Sequence, residues 1–159
     1  VDINGYPLKQ KTQVRILEML SKEFFRKLAF NVVKKYKRHI WKGSKDVYGK
    51  NFRQYSTTYG KRKRLGDFKR QSAESRNKTA PILTGDLKND FKLLKSSMFG
   101  FSIGWASQGA KVKWLKKNKR IITEDSQPLP KGLLRMIDKA IKTETEGQLP
   151  KDEVIRIGK

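Results

Sequence analysis

The chain has 159 residues, with Lys+Arg 38 against Asp+Glu 15, a net charge of +23 and no cysteine. That length suits one domain with a real core, and eight Phe, five Tyr and three Trp supply the rings to fill it. The missing cysteine excludes disulfides, thiolate catalysis and zinc–thiolate sites, and a single histidine, His39, excludes a centre built on several imidazoles. A charge of this size repels itself unless a polyanion, an acidic partner or a dense assembly compensates it. No apolar run approaches the ~20 residues of a membrane span and no signal-peptide pattern opens the chain. The expectation is a soluble protein, intracellular or part of a particle, with no membrane partner. Val1 in place of Met points to processing or an incomplete amino terminus.

Residues 1–11, with Asn4-Gly5 and Pro7, read as an irregular lead-in. From Thr12 the pattern changes. Leu17, Leu20, Phe24, Leu28, Val32 and Tyr36 recur at spacings of three and four, widened by Ile16, Phe25, Ala29 and Val33. This predicts a long amphipathic helix over 12–42, starting near Thr12 or Gln13 and stopped by Gly43. At about 1.5 Å per residue it would span roughly 45 Å, longer than a small domain is wide.

Residues 43–81 hold Gly43, Gly49, Gly60 and Gly66 among polar and aromatic residues. They read as a basic Gly/Tyr-rich arm, mobile until neighbours order it, with one short helix expected within 66–78. Residues 82–123 read as β: Ile82–Leu87 leads into Phe91–Leu94, then Met98–Trp105 alternates with period two, with Ser96-Ser97 as the turn. Lys111–Leu115 and Arg120–Thr123 are further short strand candidates. After Pro128 and Pro130, the residues Leu133, Leu134, Ile137, Ala140 and Ile141 predict a second amphipathic helix over 128–146, ended near Gly147. A tail, 147–159, reads as containing a short edge strand at 153–157. The class expected is α+β in a single domain: long N-terminal helix, basic arm, small antiparallel sheet, C-terminal helix.

Between Lys34 and Lys78 sixteen Lys and Arg face Asp46, Asp67 and Glu74, a net +13 that is more than half of the excess. Between Phe91 and Thr123 there are eight basic residues and no acidic one. Three clusters stand out as contacts for a partner or for DNA: Lys34, Lys35, Lys37 and Arg38; Lys61, Arg62, Lys63 and Arg64; and Lys116, Lys117, Lys119 and Arg120. Each suits phosphate, with counterions released on binding. Tyr48, Phe52, Tyr55 and Tyr59 are candidate interface aromatics, able to stack on bases or anchor a docking protein. No zinc finger, ribonucleoprotein signature or clean helix-turn-helix is present.

Catalytic chemistry finds little support. Asp86 and Asp90, with Lys88 and Lys92, would share a face if extended, a weak pattern for a metal-dependent nuclease; a turn at Gly85-Asp86 followed by a solvated strand explains them as well. His39 lies at a basic helix end with no Ser or Asp partner nearby in sequence. Gly100 and Gly104 lack the following helix of a dinucleotide fingerprint. Trp105 and Trp114 read as core or interface. No catalytic residue, metal or cofactor is expected, and the chain does not read as an enzyme.

One phrase points further. Ala80-Pro81-Ile82-Leu83-Thr84-Gly85-Asp86-Leu87-Lys88-Asn89-Asp90-Phe91 follows the helix and basic arm. A β segment with Gly104-Trp105, a Lys/Arg stretch, a Pro-marked entry and a carboxy-terminal helix come after it. This layout, over roughly residues 14–145, resembles the tailed-phage virion morphogenesis proteins, the tail-completion and head–tail connector group. There a leucine–threonine–glycine–x–leucine phrase, here Leu83 to Leu87, opens the central β region. The resemblance implies a structural subunit, not an enzyme, forming a ring at the virion neck and assembled in the host cytoplasm. Its implied partners are copies of itself and portal, adaptor or tail proteins, with DNA in the neck channel as a secondary partner. The alternative from the residues alone is a free nucleic-acid-binding protein of ribosomal or nucleoid-like type.

Overall fold

The computed structural model describes residues 20–76 and 78–148. Helix α1 runs Lys22–Lys37, capped by Ser21, whose hydroxyl accepts from the Phe24 amide at 3.0 Å. Glu23 sits in its first turn and Lys34, Lys35 and Lys37 in its last, each charge matched to its end of the helix dipole. Phe25, Leu28, Ala29, Val32, Val33 and Tyr36 form the buried face. The helix then widens into a π-helical turn, Arg38–Lys42, which carries Ile40 and Trp41 into the core. Gly43 closes it. A Cβ there would meet the His39 carbonyl oxygen at 2.8 Å, so glycine is required by close approach. The stripe from Phe24 to Tyr36 is therefore helical, but Leu20 and Ser21 are not and Ile16 and Leu17 lie outside the described residues; α1 spans about 24 Å rather than 45 Å. The start expected at Thr12 or Gln13, the lead-in 1–11 and the strand expected at 153–157 lie outside the described residues.

The arm is folded against the body, contrary to expectation. The segment after Gly43 closes on itself through a Lys45–Asn51 bridge, and the Val47 amide donates to the Ile121 carbonyl at 3.0 Å. Val47, Phe52, Lys63, Ser75 and Ala80 are buried. The basic run lies on a helix, α2 (Thr57–Leu65), ended by Gly66 in the left-handed conformation. The helix expected within 66–78 reduces to a single 3₁₀ turn, Ala73–Ser75.

Gly85, at φ 87°, turns the chain into the short helix α3 (Asp86–Asp90), so Ile82–Leu87 is not a strand. Strands β1 (Phe91–Ser97) and β2 (Gly100–Trp105) pair antiparallel, from Phe91 opposite Trp105 at the base to Ser97 opposite Gly100 at the tip. The turn is Met98-Phe99, two residues beyond the expected Ser96-Ser97, and Leu94 bulges from the ladder between Leu93 and Lys95. Lys111–Leu115 belongs to helix α4 (Gly109–Lys117), and Arg120–Thr123 is irregular, with a bend at Ile122, and joins no sheet. Helix α5 covers Lys131–Gln148.

The core is aromatic. Tyr36 stacks on Phe91 with ring centroids 4.2 Å apart, meets Trp41 edge-on at 5.8 Å, and donates its hydroxyl to the Ile122 carbonyl at 2.6 Å. Trp105 lies 4.8 Å from Phe91. Leu133 and Ile137 of α5 join this cluster with Phe52, Ile82, Leu87 and Leu115, which makes one contiguous core for an α+β fold.

Candidate interaction site

A concavity of about 910 Å³ opens between residues 53–59, the turn 81–88 and α4. Its apolar wall comprises Tyr55, Tyr59, Pro81, Leu83 and Trp114, the last 60 % exposed. Arg53, Lys88, Lys111 and Arg120 also line it, and among the described residues no carboxylate does.

Beneath the groove two cations are buried with no acidic partner among the described residues. Arg120, 8 % exposed, donates from Nη1 to the Thr79 carbonyl at 2.6 Å and from Nη2 to the Arg53 carbonyl at 2.7 Å. Its guanidinium lies 3.8 Å from the Tyr55 ring centre. Lys63, 1 % exposed, donates to the Lys78 and Ala80 carbonyls at 2.7 and 3.3 Å and sits 4.4 Å from the same ring. The Tyr55 hydroxyl donates to the Ala80 carbonyl at 3.0 Å. Carbonyl oxygens and a π face thus replace the carboxylates that buried cations ordinarily require. Burial, and then the neighbouring Arg120 charge, push the Lys63 ammonium down to about 8. Burial also lowers Arg120 and lifts the Tyr55 phenol to about 12.

The three basic clusters consequently divide. Lys34, Lys35, Arg38, Lys61, Arg62, Arg64, Lys116, Lys117 and Lys119 are exposed, and Lys37 is half-buried. Lys63 and Arg120 are inside, so they hold the arm rather than greet a partner. Lys116 is engaged by Glu124 at 2.9 Å, and Glu124 also accepts from Tyr48. Phe52, expected at an interface, is in the core. Tyr55 and Tyr59 do line the groove, with rings 4.8 Å apart. Lys35, Arg38, Lys42 and Lys45 gather with His39 around a second hollow of about 630 Å³, against Pro130 and Gly132. His39 Nε2 donates to the Asp46 carbonyl at 2.9 Å and so ties the loop to the helix end.

The carboxylates weighed as metal ligands have local work. Asp86 accepts from the Thr84 hydroxyl at 2.7 Å. Asp90 accepts from the Ser107 and Gln108 amides, both at 2.8 Å, and these N–H groups hold it below the usual carboxylate range. Because α3 is helical, the shared extended face does not exist. Among the described residues no group of three or more His, Cys, Asp or Glu is placed to hold a metal ion, and no helix is long and apolar enough to cross a membrane.

Trp114, Leu83, Arg53 and Lys111 join the site without having been singled out for it in the sequence. In comparisons with protein-family models, curated proteins and solved structures, nothing matches the chain.

Proposed function

We propose that the chain is a structural subunit of a tailed-phage neck, which assembles with copies of itself into a ring and joins the portal side of the head to the tail. The observation that carries this reading is the unfinished state of the β1–β2 hairpin. Two strands are the whole sheet among the described residues, so both outer edges are unpaired, and the turn presents Met98 and Phe99 to solvent. Open edges with apolar tips are ordinarily covered by neighbours. The helix–arm–hairpin–helix order agrees with the layout of the connector group. The exposed cations, spread over α1, α2 and α4, suit several acidic neighbours better than one continuous polyanion track.

Free nucleic-acid binding is the second reading, and the groove favours it: Tyr55, Tyr59 and Trp114 stand among cations with no carboxylate in the wall. Mass photometry of the purified chain, with and without a short DNA duplex across a salt series, separates the two. A discrete oligomer that forms without DNA supports the neck subunit. A monomer at every concentration, binding duplex with a steep salt slope, overturns it in favour of the second reading.

A further inference from the structure

An uncharged knob and an apolar groove sit at opposite ends of one hairpin. Ser96 to Ala110 is the longest run of the chain without a charged side chain. It begins at the hairpin tip, where Met98 and Phe99 are 55 % and 61 % exposed. The groove lies at the other end: Leu87 in its wall accepts the Trp105 indole N–H at 3.0 Å, and Trp105 pairs with Phe91 at the hairpin base. Strand rise places the tip roughly 20 Å from that base. The Ser96 hydroxyl, beside the tip, donates to the Lys22 carbonyl at 3.4 Å, at the start of α1 and far from Tyr36 and Trp41. The tip therefore cannot fold back into its own groove.

We propose that Met98-Phe99 of one copy inserts between Tyr55, Leu83 and Trp114 of the next, and that this contact propagates the ring; the inference rests on the neck-subunit reading. Three features select a second copy as the occupant. A knob meeting a different surface is a heterologous contact, which repeats into a closed ring or a filament. Copies carrying +23 repel one another, and the charge-free stretch from Ser96 at the hairpin tip is the segment that can approach a rim of Arg53 and Lys111, beside Lys88 held by Glu74 at 2.7 Å, without opposing like charges. Those same cations gain by lying over the Phe99 ring. Size agrees as well: about 910 Å³ admits a phenyl ring and a thioether chain together, and an aromatic anchor of this kind buries roughly 150–250 Å².

The chain has no cysteine, so engineered thiols report the contact cleanly. One full-length variant carries Met98→Cys and another Asn118→Cys, on the groove rim; the two are mixed under mild oxidation. The expected product is a disulfide between the two variants, with neither dimerising alone. Phe99→Asp, at an exposed position that leaves the melting temperature unchanged, weakens self-association by roughly 30-fold, as loss of a buried anchor does. A Met98→Cys homodimer without the mixed product would mean tip-to-tip pairing and overturns the proposal. An oligomer that persists in Phe99→Asp overturns it too, while leaving the ring reading in place. A wild-type chain that stays monomeric, with no mixed disulfide between the Met98→Cys and Asn118→Cys variants, removes both.

Discussion

The Arg120 guanidinium carbon sits over the Tyr55 ring, 3.8 Å from its centre, while its two terminal nitrogens hold carbonyls of Thr79 and Arg53, 41 and 67 residues away. One side chain thus ties α4, the arm and the segment before Ile82 together. Replacing it with Met leaves two carbonyls without a donor, and we expect a loss of about 2–4 kcal/mol in urea unfolding. Arg120→Lys should recover less than half, because an ammonium cannot reach both carbonyls as a planar fork does. A Lys variant as stable as wild type would show that charge alone suffices.

Lys63 gives the stability an unusual pH dependence. Its folded value of about 8 lies below the ordinary 10.5, so between those two the unfolded chain binds more protons on this group than the folded one. Stability therefore rises with pH through that window. Above pH ~10 the sign reverses, because burial raises the phenols of Tyr36 and Tyr55 and the folded chain then holds more protons. Lys116, held up by Glu124, pulls in the same downward sense. The expected melting profile climbs from pH 7.5 to about 9.5 and then falls. Deprotonation of surface lysines also relieves repulsion, so Lys63→Met is the control: its rise over the same range should be visibly flatter. Parallel profiles for the two proteins would place the effect elsewhere.

On α1 the adjacent phenylalanines differ. Phe25 is 2 % exposed and touches Phe101 of β2 at 6.5 Å, whereas Phe24 is only half-buried. Phe25→Ala should cost about 3–5 kcal/mol, and Phe24→Ala less than half of that, by denaturant midpoint. Equal losses would mean that Phe24 packs as deeply as its neighbour.

These contrasts explain what the sequence reveals. The α1 stripe, its stop at Gly43 and the stripe of α5 are legible because a 3.6-residue period repeats over several turns. Lys111-Val112-Lys113-Trp114-Leu115 alternates over five residues, and at that length strand and helix cannot be told apart, so α4 reads as β. The arm reads as mobile because Lys63 and Arg120 look like solvated charge; their partners are backbone carbonyls, which leave no mark in a sequence. For the same reason the groove is only half legible. Tyr55 and Tyr59 stand out, but Leu83 and Trp114 reach the same wall from segments distant along the chain.

Lys119 holds a φ of 57°, a left-handed conformation that lets the chain reverse after α4, so that the Arg120 amide donates to the Leu115 carbonyl at 2.9 Å. A side chain bearing Cβ is strained there. Lys119→Gly should raise stability by about 0.5–1 kcal/mol despite the extra freedom of the unfolded chain. The measurement is chemical denaturation at fixed ionic strength. A loss of stability would mean that the lysine itself makes a contact worth more than the strain.

The run at 61–64 separates charge that faces outward from charge that holds the fold. Lys61, Arg62 and Arg64 are exposed on α2 and Lys63 points inward onto the Lys78 and Ala80 carbonyls. Replacing all four together would mix two effects, so they are taken apart. The triple variant Lys61→Ser, Arg62→Ser and Arg64→Ser removes three positive charges and one guanidinium 4.6 Å above the Phe68 ring; it should melt within about 1 kcal/mol of wild type. Lys63→Ser alone should cost roughly 2–4 kcal/mol through the Lys78 carbonyl left without its donor and a void, the Ala80 carbonyl keeping the Tyr55 hydroxyl and the Ile82 amide. If the outward charges meet phosphate, the triple variant lowers the slope of log affinity against log salt by up to ~2.7 on duplex DNA. If they meet acidic neck proteins, that slope changes little and the joining of heads to tails is impaired instead. The arrangement on the helix favours the second outcome: three cations on one nine-residue helix make a compact patch, the size of a contact with one neighbouring subunit. Normal particles from the triple variant, together with lost duplex affinity, would turn the function of this surface toward DNA.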